Sequence, residues 1–257
     1  MSFTGGADAY DRFMGRYSSL LAPSFADFGK IGTGQFALDV GCGPGALTTE
    51  LVARLGSTSV SAVDPSASFV TAARERHPGV TVQRAAAERL PFGDETFDVA
   101  LAQLVVHFME DPVVGLREMA RVTRAEGVVA ACVWDHAGGH GPLSVFWDAA
   151  RELDPNVGDE SKFAGAREGH LAVLLATAGL HHIDEDALSV SLEHRTFDEW
   201  WEPYTLGVGP AGSYIADLDP DRRAQLRERC REMLPSAPFV LTALAWAARG
   251  LVSPASR

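Results

Sequence analysis

Short runs of apolar and β-branched residues alternate with stretches of helical periodicity between residues 36 and 134. That rhythm belongs to parallel strands joined by crossover helices. It predicts strands at 36–40, 59–63, 80–84, 97–102 and 127–134, with helices at 46–55, 67–76 and 112–123 between them. Asp111-Pro112 supports the third helix, because an N-cap carboxylate precedes a proline at the first helical position, where an N–H would lack a partner anyway. Glu118 and Arg121 then fall on a polar face away from Val114 and Met119.

After Trp134 the pattern changes. A glycine-rich segment, 135–142, leads to predicted helices at 143–153 and 169–178, a strand at 183–192, an aromatic helix, an acid–base helix at 220–234 and a last strand at 239–248. The seven strands predict an α/β fold with a doubly wound, mostly parallel sheet. Residues 1–35 read as a helical lead-in or cap, 36–195 as the core, 196–236 as a helical insertion and candidate lid, and 237–257 as the final strand and C-terminus.

Composition narrows the partners. With 46% hydrophobic and 22% charged residues the chain is an ordinary globular protein rather than a disordered one. A formal charge of −12 repels phosphate backbones and anionic lipid, so neither a nucleic-acid nor a membrane partner is expected. Arg222, Arg223, Arg227, Arg229 and Arg231 cluster, but Asp221, Glu228 and Glu232 interleave with them at the spacing of a solvated helix face. Cys42, Cys132 and Cys230 lie far apart and suggest reduced thiols in a cytoplasm. The N-terminus lacks a signal-peptide pattern and the longest apolar run, 171–180, is half a membrane span, so a soluble, cytoplasmic protein is expected.

The strongest chemical signal is Leu38-Asp39-Val40-Gly41-Cys42-Gly43-Pro44-Gly45, where a strand ends in a glycine turn that opens a helix. Glycines there let the backbone approach a ligand closely. The spacing is Gly-x-Gly-x-Gly, not the Gly-x-Gly-x-x-Gly of dinucleotide folds. At the end of the second strand, Val63-Asp64-Pro65-Ser66 puts a carboxylate where a ribose diol is gripped, which suits a NAD or an S-adenosylmethionine site alike.

With Ala87-Glu88-Arg89-Leu90-Pro91-Phe92 and Phe97-Asp98-Val99-Ala100, this motif resembles the class I S-adenosylmethionine-dependent methyltransferases of the ubiquinone/menaquinone-biosynthesis type (methyltransferase type 11). The resemblance covers about the first 185 residues well and the last strand more loosely. It implies S-adenosylmethionine as cofactor, with Gly41, Gly43 and Gly45 shaping the bed of its methionine part, Asp39 helping to hold that end, and Asp64, next to Pro65, on the ribose hydroxyls. It further implies that Ala86, Ala87 and Glu88 flank the adenine and that Gln103 lies near the sulfonium. Many relatives carry Asp where this chain has Ala86, so adenine recognition here would rest on backbone groups and apolar packing. The segment from Tyr10 to Tyr17 resembles the lead-in helix that folds over the cofactor. In it Arg16 is either a partner for the methionyl carboxylate or a solvent-facing arginine.

Methyl transfer from a sulfonium needs alignment of the acceptor, exclusion of water and, for some acceptors, removal of a proton. His107 and His136, past the fourth and fifth strands, are the candidate bases; the alternative for each is a histidine that only hydrogen-bonds its loop. His136 and His140 are spaced i, i+4, but two glycines lie between them and no carboxylate completes a ligand pattern, so no metal is expected. Phe197, Trp200, Trp201 and Tyr204 form one helical stripe. It is either core or the lining of an acceptor pocket, and the glycines at 207–212 suggest a hinge that would make Trp200, Trp201 and Tyr204 part of a lid facing the methyl group. The expected function is methyl transfer to a small organic acceptor. A same-fold enzyme using the cofactor for another reaction, such as a cyclisation, and a non-catalytic interaction protein are the alternatives.

Overall fold

Strand Ala37–Val40 (β1) is buried at all four positions, as a parallel strand must be when helices cover both faces of its sheet. The computed structural model of the chain describes residues 6–254. Ahead of β1, the lead-in forms α1 (Ala7–Tyr10), a π-helical turn (Asp11–Gly15) and α2 (Arg16–Phe28). Beyond it come α3 (Ala46–Leu55), β2 (Val60–Asp64), α4 (Ala67–Arg76), β3 (Thr81–Arg84), β4 (Phe97–Gln103), α5 (Pro112–Val122) and β5 (Thr123–Trp134). The Asp111 carboxylate caps α5 by accepting from the N–H groups of Val113 and Val114, so the expected cap is the one that forms.

The second half adds α6 (Ser144–Leu153), α7 (His170–Ala178), β6 (His181–His194), α8 (Phe197–Trp201), α9 (Gly209–Asp217), α10 (Pro220–Met233) and β7 (Phe239–Leu251). The sheet has seven strands in the order β3-β2-β1-β4-β5-β7-β6, with β7 antiparallel to both neighbours and the other pairings parallel. This is the doubly wound, mostly parallel sheet expected. Strand β5 starts four residues earlier than the pattern suggests. Thr123 accounts for this: its hydroxyl donates to the Met119 carbonyl while its backbone already pairs with Phe97.

Two expectations for the insertion fail. Residues 207–212 are not an open hinge, because α9 begins at Gly209 with Pro210 in its first turn. A Cβ on Gly212 would come within 2.7 Å of the Gly207 backbone, so the glycine serves close packing of α9 onto the preceding turn. The aromatic stripe is core: Trp200, Trp201 and Tyr204 are 2%, 5% and 3% exposed. Tyr204 stacks on Phe146 of α6 at 4.8 Å and meets Phe13 of the lead-in edge-on at 5.0 Å. Trp200 and Tyr204 border only a small cleft, with about 260 Å³ of empty space, between the lead-in and the insertion. Among the described residues, no helix is long and apolar enough to cross a membrane.

Candidate active site

The strand order reverses between β1 and β4, and a crevice opens beyond the carboxyl ends of strands at such a point. Here it is a cleft with about 1210 Å³ of empty space, part of it open to solvent, lined by Gly41, Gly43, Asp64, Pro65, Gln103 and Tyr10 among others. The turn after β1 depends on glycine. Gly41 has φ +72°, and a Cβ there would lie 2.4 Å from the Val105 side chain; Gly43 has φ +54° and open space where its Cβ would be.

Asp64 is fixed before any ligand arrives. Its Oδ2 accepts from the Gly43 N–H at 2.9 Å and its Oδ1 from the Ser66 N–H at 2.8 Å. Burial raises its pKa and these two N–H groups oppose the rise. Gln103 is buried, with its Nε2 donating to the Ser18 carbonyl at 3.0 Å while its Oε1 has no partner. An orphan buried acceptor next to a cleft is incomplete without a donor from outside the protein.

The remaining cofactor candidates sit elsewhere. Asp39 is buried beneath the turn, where it accepts from the Thr48 hydroxyl at 2.6 Å and burial pushes its carboxyl up to about 7. Gly45 has φ +106° and abuts His77. Ala86 is exposed, Ala87 joins the core, and the Glu88 carboxylate accepts from the Glu110 N–H at 2.7 Å. None of these five is among the residues lining the cleft, whereas Arg84, Ser68 and Phe69 are. Arg16 turns to the insertion: its guanidinium donates to Glu199 at 2.8 Å, so it does not face the cleft as the resemblance implied. Its charge is already matched by a carboxylate from a distant part of the chain.

A second cavity adjoins the first, with about 460 Å³ of empty space that is partly open. Tyr10, Leu104 and Phe108 line both. Leu104 carries φ +61°, a strained conformation for a bulky residue that the surrounding structure must enforce. Its N–H donates to the Cys132 carbonyl at 2.8 Å, and this bond holds the side chain between the two spaces. His107 and His136 do line the second cavity, with ring centres 6.0 Å apart. Burial, reinforced by the neighbouring His136, holds His107 well below its ordinary pKa; burial lowers His136 to about 4 against the pull of Asp135. Both imidazoles are neutral at pH 7.

The insertion does cover this cavity, but through Val208, Gly209, Pro210 and Ala211 at the start of α9 rather than through its tryptophans. Sequence reasoning also missed Glu160. This carboxylate is 3% exposed, lines the cavity and accepts from the Trp147 indole N–H at 2.9 Å. Asp159-Glu160-Ser161-Lys162 has the composition of a solvated loop, so nothing local marks it. Among the described residues, no three His, Cys, Asp or Glu side chains are grouped to hold a metal ion.

Residues 38–131 match the family model described as a methyltransferase domain. The chain is 32% identical over 128 residues to the malonyl-(acyl-carrier protein) O-methyltransferase of Erwinia billingiae, covering 50% of each protein. It is 40% identical over 102 residues to the demethylmenaquinone methyltransferase of Mycobacterium sp. strain KMS, covering 40% of this chain and 43% of that one. The chain thus spans about half the length, or less, of these curated relatives. Among solved structures, phosphoethanolamine N-methyltransferase 2 of Haemonchus contortus, in complex with S-adenosyl-L-methionine, superposes with a TM-score of 0.55 at 17% identity. That match covers 91% of this chain and 52% of the other, and it shows the fold.

Proposed function

We propose that this chain, which carries a methyltransferase domain over residues 38–131, transfers a methyl group from S-adenosylmethionine to a small organic acceptor. One observation carries the reading: two cavities share the wall formed by Tyr10, Leu104 and Phe108, and only one of them has the glycine turn and Asp64. A donor in the cleft and an acceptor in the second cavity meet across that wall.

The cleft's polar atoms fit the cofactor. Each Asp64 oxygen already accepts one N–H and keeps a lone pair for a ribose hydroxyl. The Gln103 Oε1 suits the methionyl ammonium, and the open side of Gly43 admits a ligand against bare backbone. When bound, S-adenosylmethionine supplies a methyl group already activated on a sulfonium. The chain's own work is then to orient the acceptor and keep water out. Phe13, Phe108 and Trp134 line the acceptor side with apolar surface.

The deciding experiment pairs binding with turnover. S-adenosylhomocysteine at one hundred times its dissociation constant should stabilise the fold by about 2.7 kcal/mol, and labelled methyl should pass from S-adenosylmethionine to a member of a small-molecule panel. Stabilisation by NAD but not by S-adenosylhomocysteine would overturn the reading.

A further inference from the structure

We propose that Glu160 is the general base of the acceptor cavity and that the acceptor is a neutral, largely apolar molecule presenting a hydroxyl beside it. The inference rests on the methyl-transfer reading above and adds the identity of the group that takes the acceptor's proton.

Glu160 lies on the wall of the second cavity. It follows α6 on an irregular segment, yet its backbone is pinned, because the Phe163 N–H donates to its carbonyl at 3.1 Å and Asp159 just before it holds the Ser161 N–H at 3.0 Å. The side chain turns inward to the Trp147 indole, whose N–H donates to Oε2 at 2.9 Å. Buried carboxylates are normally paired with a cation. Among the described residues, no Lys or Arg lines this cavity. Lys162, two residues on, is exposed and does not line the cavity, and Arg151 is engaged by Asp148 and Asp159.

Besides Glu160, the titratable side chains among the described residues lining the cavity are His107, His136 and Tyr10. His107 comes from the end of β4, His136 from the end of β5, Tyr10 from the lead-in, and the insertion contributes only Val208 to Ala211. Burial pushes the Glu160 carboxyl up to about 7, with the charge of Asp159 adding to the rise and the Trp147 N–H opposing it. Proton-transfer efficiency is greatest when the catalytic pKa lies near the working pH. The imidazoles do not compete, since burial makes their protonated forms costly and leaves them weak bases.

The same features select the acceptor. A carboxylate or phosphate would enter beside Glu160 with no cation to offset it. An ammonium would be held by Glu160 as a cation, its lone pair tied up by a proton. A neutral hydroxyl avoids both problems. Its proton passes to a Glu160 carboxylate oxygen, the O–H electron pair stays on the acceptor oxygen, and that oxygen would bond the methyl carbon as the S–CH3 bond breaks, the bonding pair staying on sulfur and S-adenosylhomocysteine leaving as the neutral thioether. The carboxyl later releases the proton to solvent.

The test uses the full chain saturated with S-adenosylhomocysteine or S-adenosylmethionine, with p-cresol, benzoate and benzylamine as probes. Calorimetry on the S-adenosylhomocysteine complex should show p-cresol binding at least tenfold more tightly than either charged probe. Infrared difference spectra between wild type and Glu160→Gln should show a protonated-carboxyl band that titrates near pH 7, the Asp39 signal common to both proteins cancelling. With p-cresol, Glu160→Gln should lower kcat/KM by at least a hundredfold and abolish its fall below pH 7, with S-adenosylhomocysteine affinity within twofold of wild type. Trp147→Phe, which removes the hydrogen bond to Oε2, should move the band's midpoint to higher pH. Wild-type kcat/KM and pH profile in Glu160→Gln would overturn the base assignment, and benzoate or benzylamine binding as well as p-cresol would overturn the acceptor class. A wild-type protein that fails to bind S-adenosylhomocysteine would instead sink the methyl-transfer reading itself.

Discussion

The Gly43 N–H donates to Asp64 Oδ2 at 2.9 Å, so the turn after β1 and the end of β2 are held to each other through one carboxylate. The second oxygen of that carboxylate takes the Ser66 N–H, which sets the start of α4 as well. The cleft is therefore organised by a residue that also presents acceptor lone pairs to it.

Replacing this carboxylate should weaken cofactor binding directly. Asp64→Ala is expected to lower S-adenosylmethionine affinity by about 1.5–3 kcal/mol, the range for hydrogen bonds to a charged group. Calorimetry on the folded variant checks it. Wild-type affinity would remove Asp64 from the ribose subsite.

The first two glycines of the turn should separate folding from binding. Gly41→Ala drives a Cβ into Val105 and should destabilise the protein by about 1–3 kcal/mol through overpacking and strain. Gly43→Ala meets open space, so it should cost only the left-handed strain of about 1–2 kcal/mol while obstructing the ligand. Denaturant unfolding and cofactor titration of both variants decide, and equal losses of affinity at matched stability would contradict the contrast.

Trp201→Ala should behave as a core truncation. Its burial among Phe197, Trp200 and Tyr204 predicts a loss of about 3–5 kcal/mol in stability. Urea denaturation measures it. A loss confined to acceptor binding, with stability intact, would restore the lid role that the structure denies.

Glu160 should also leave a mark on stability as a function of pH. Its folded-state value of about 7 lies above the 4.5 of a solvated glutamate, so the native state binds more protons than the unfolded chain in that window. Its contribution is complete below about pH 4.5 and is lost as pH rises through 7. His136 has the opposite sign, because its folded value of about 4 lies below the ordinary 6.5. Comparing wild type with Glu160→Gln cancels the histidine. The stability of the variant relative to wild type should rise by roughly 2–3 kcal/mol from pH 5 to pH 8, read from urea curves at the two pH values. A flat difference would show that the carboxyl is not buried as described.

The sheet, the crossover helices and the glycine turn after β1 are legible in the chain's pattern alone. The helices Ala46–Leu55 and Ala67–Arg76 have the bounds that periodicity predicts, and Asp111 caps where its position before Pro112 says it should. These features come from backbone periods, capping chemistry and glycine torsions, which act over a few residues and so are written locally. Topology then carried His107 and His136 to the ligand edge without any need to see contacts. What the sequence could not decide is which partner meets a given face. The stripe of Trp200, Trp201 and Tyr204 announces a buried face but not that Phe13 and Phe146 fill it. Arg16 finds Glu199, 183 residues away, and Glu160 looks like loop until Trp147, the lead-in and the start of α9 close around it. Those outcomes depend on non-local packing, where desolvation and charge matching are fixed only once distant segments meet.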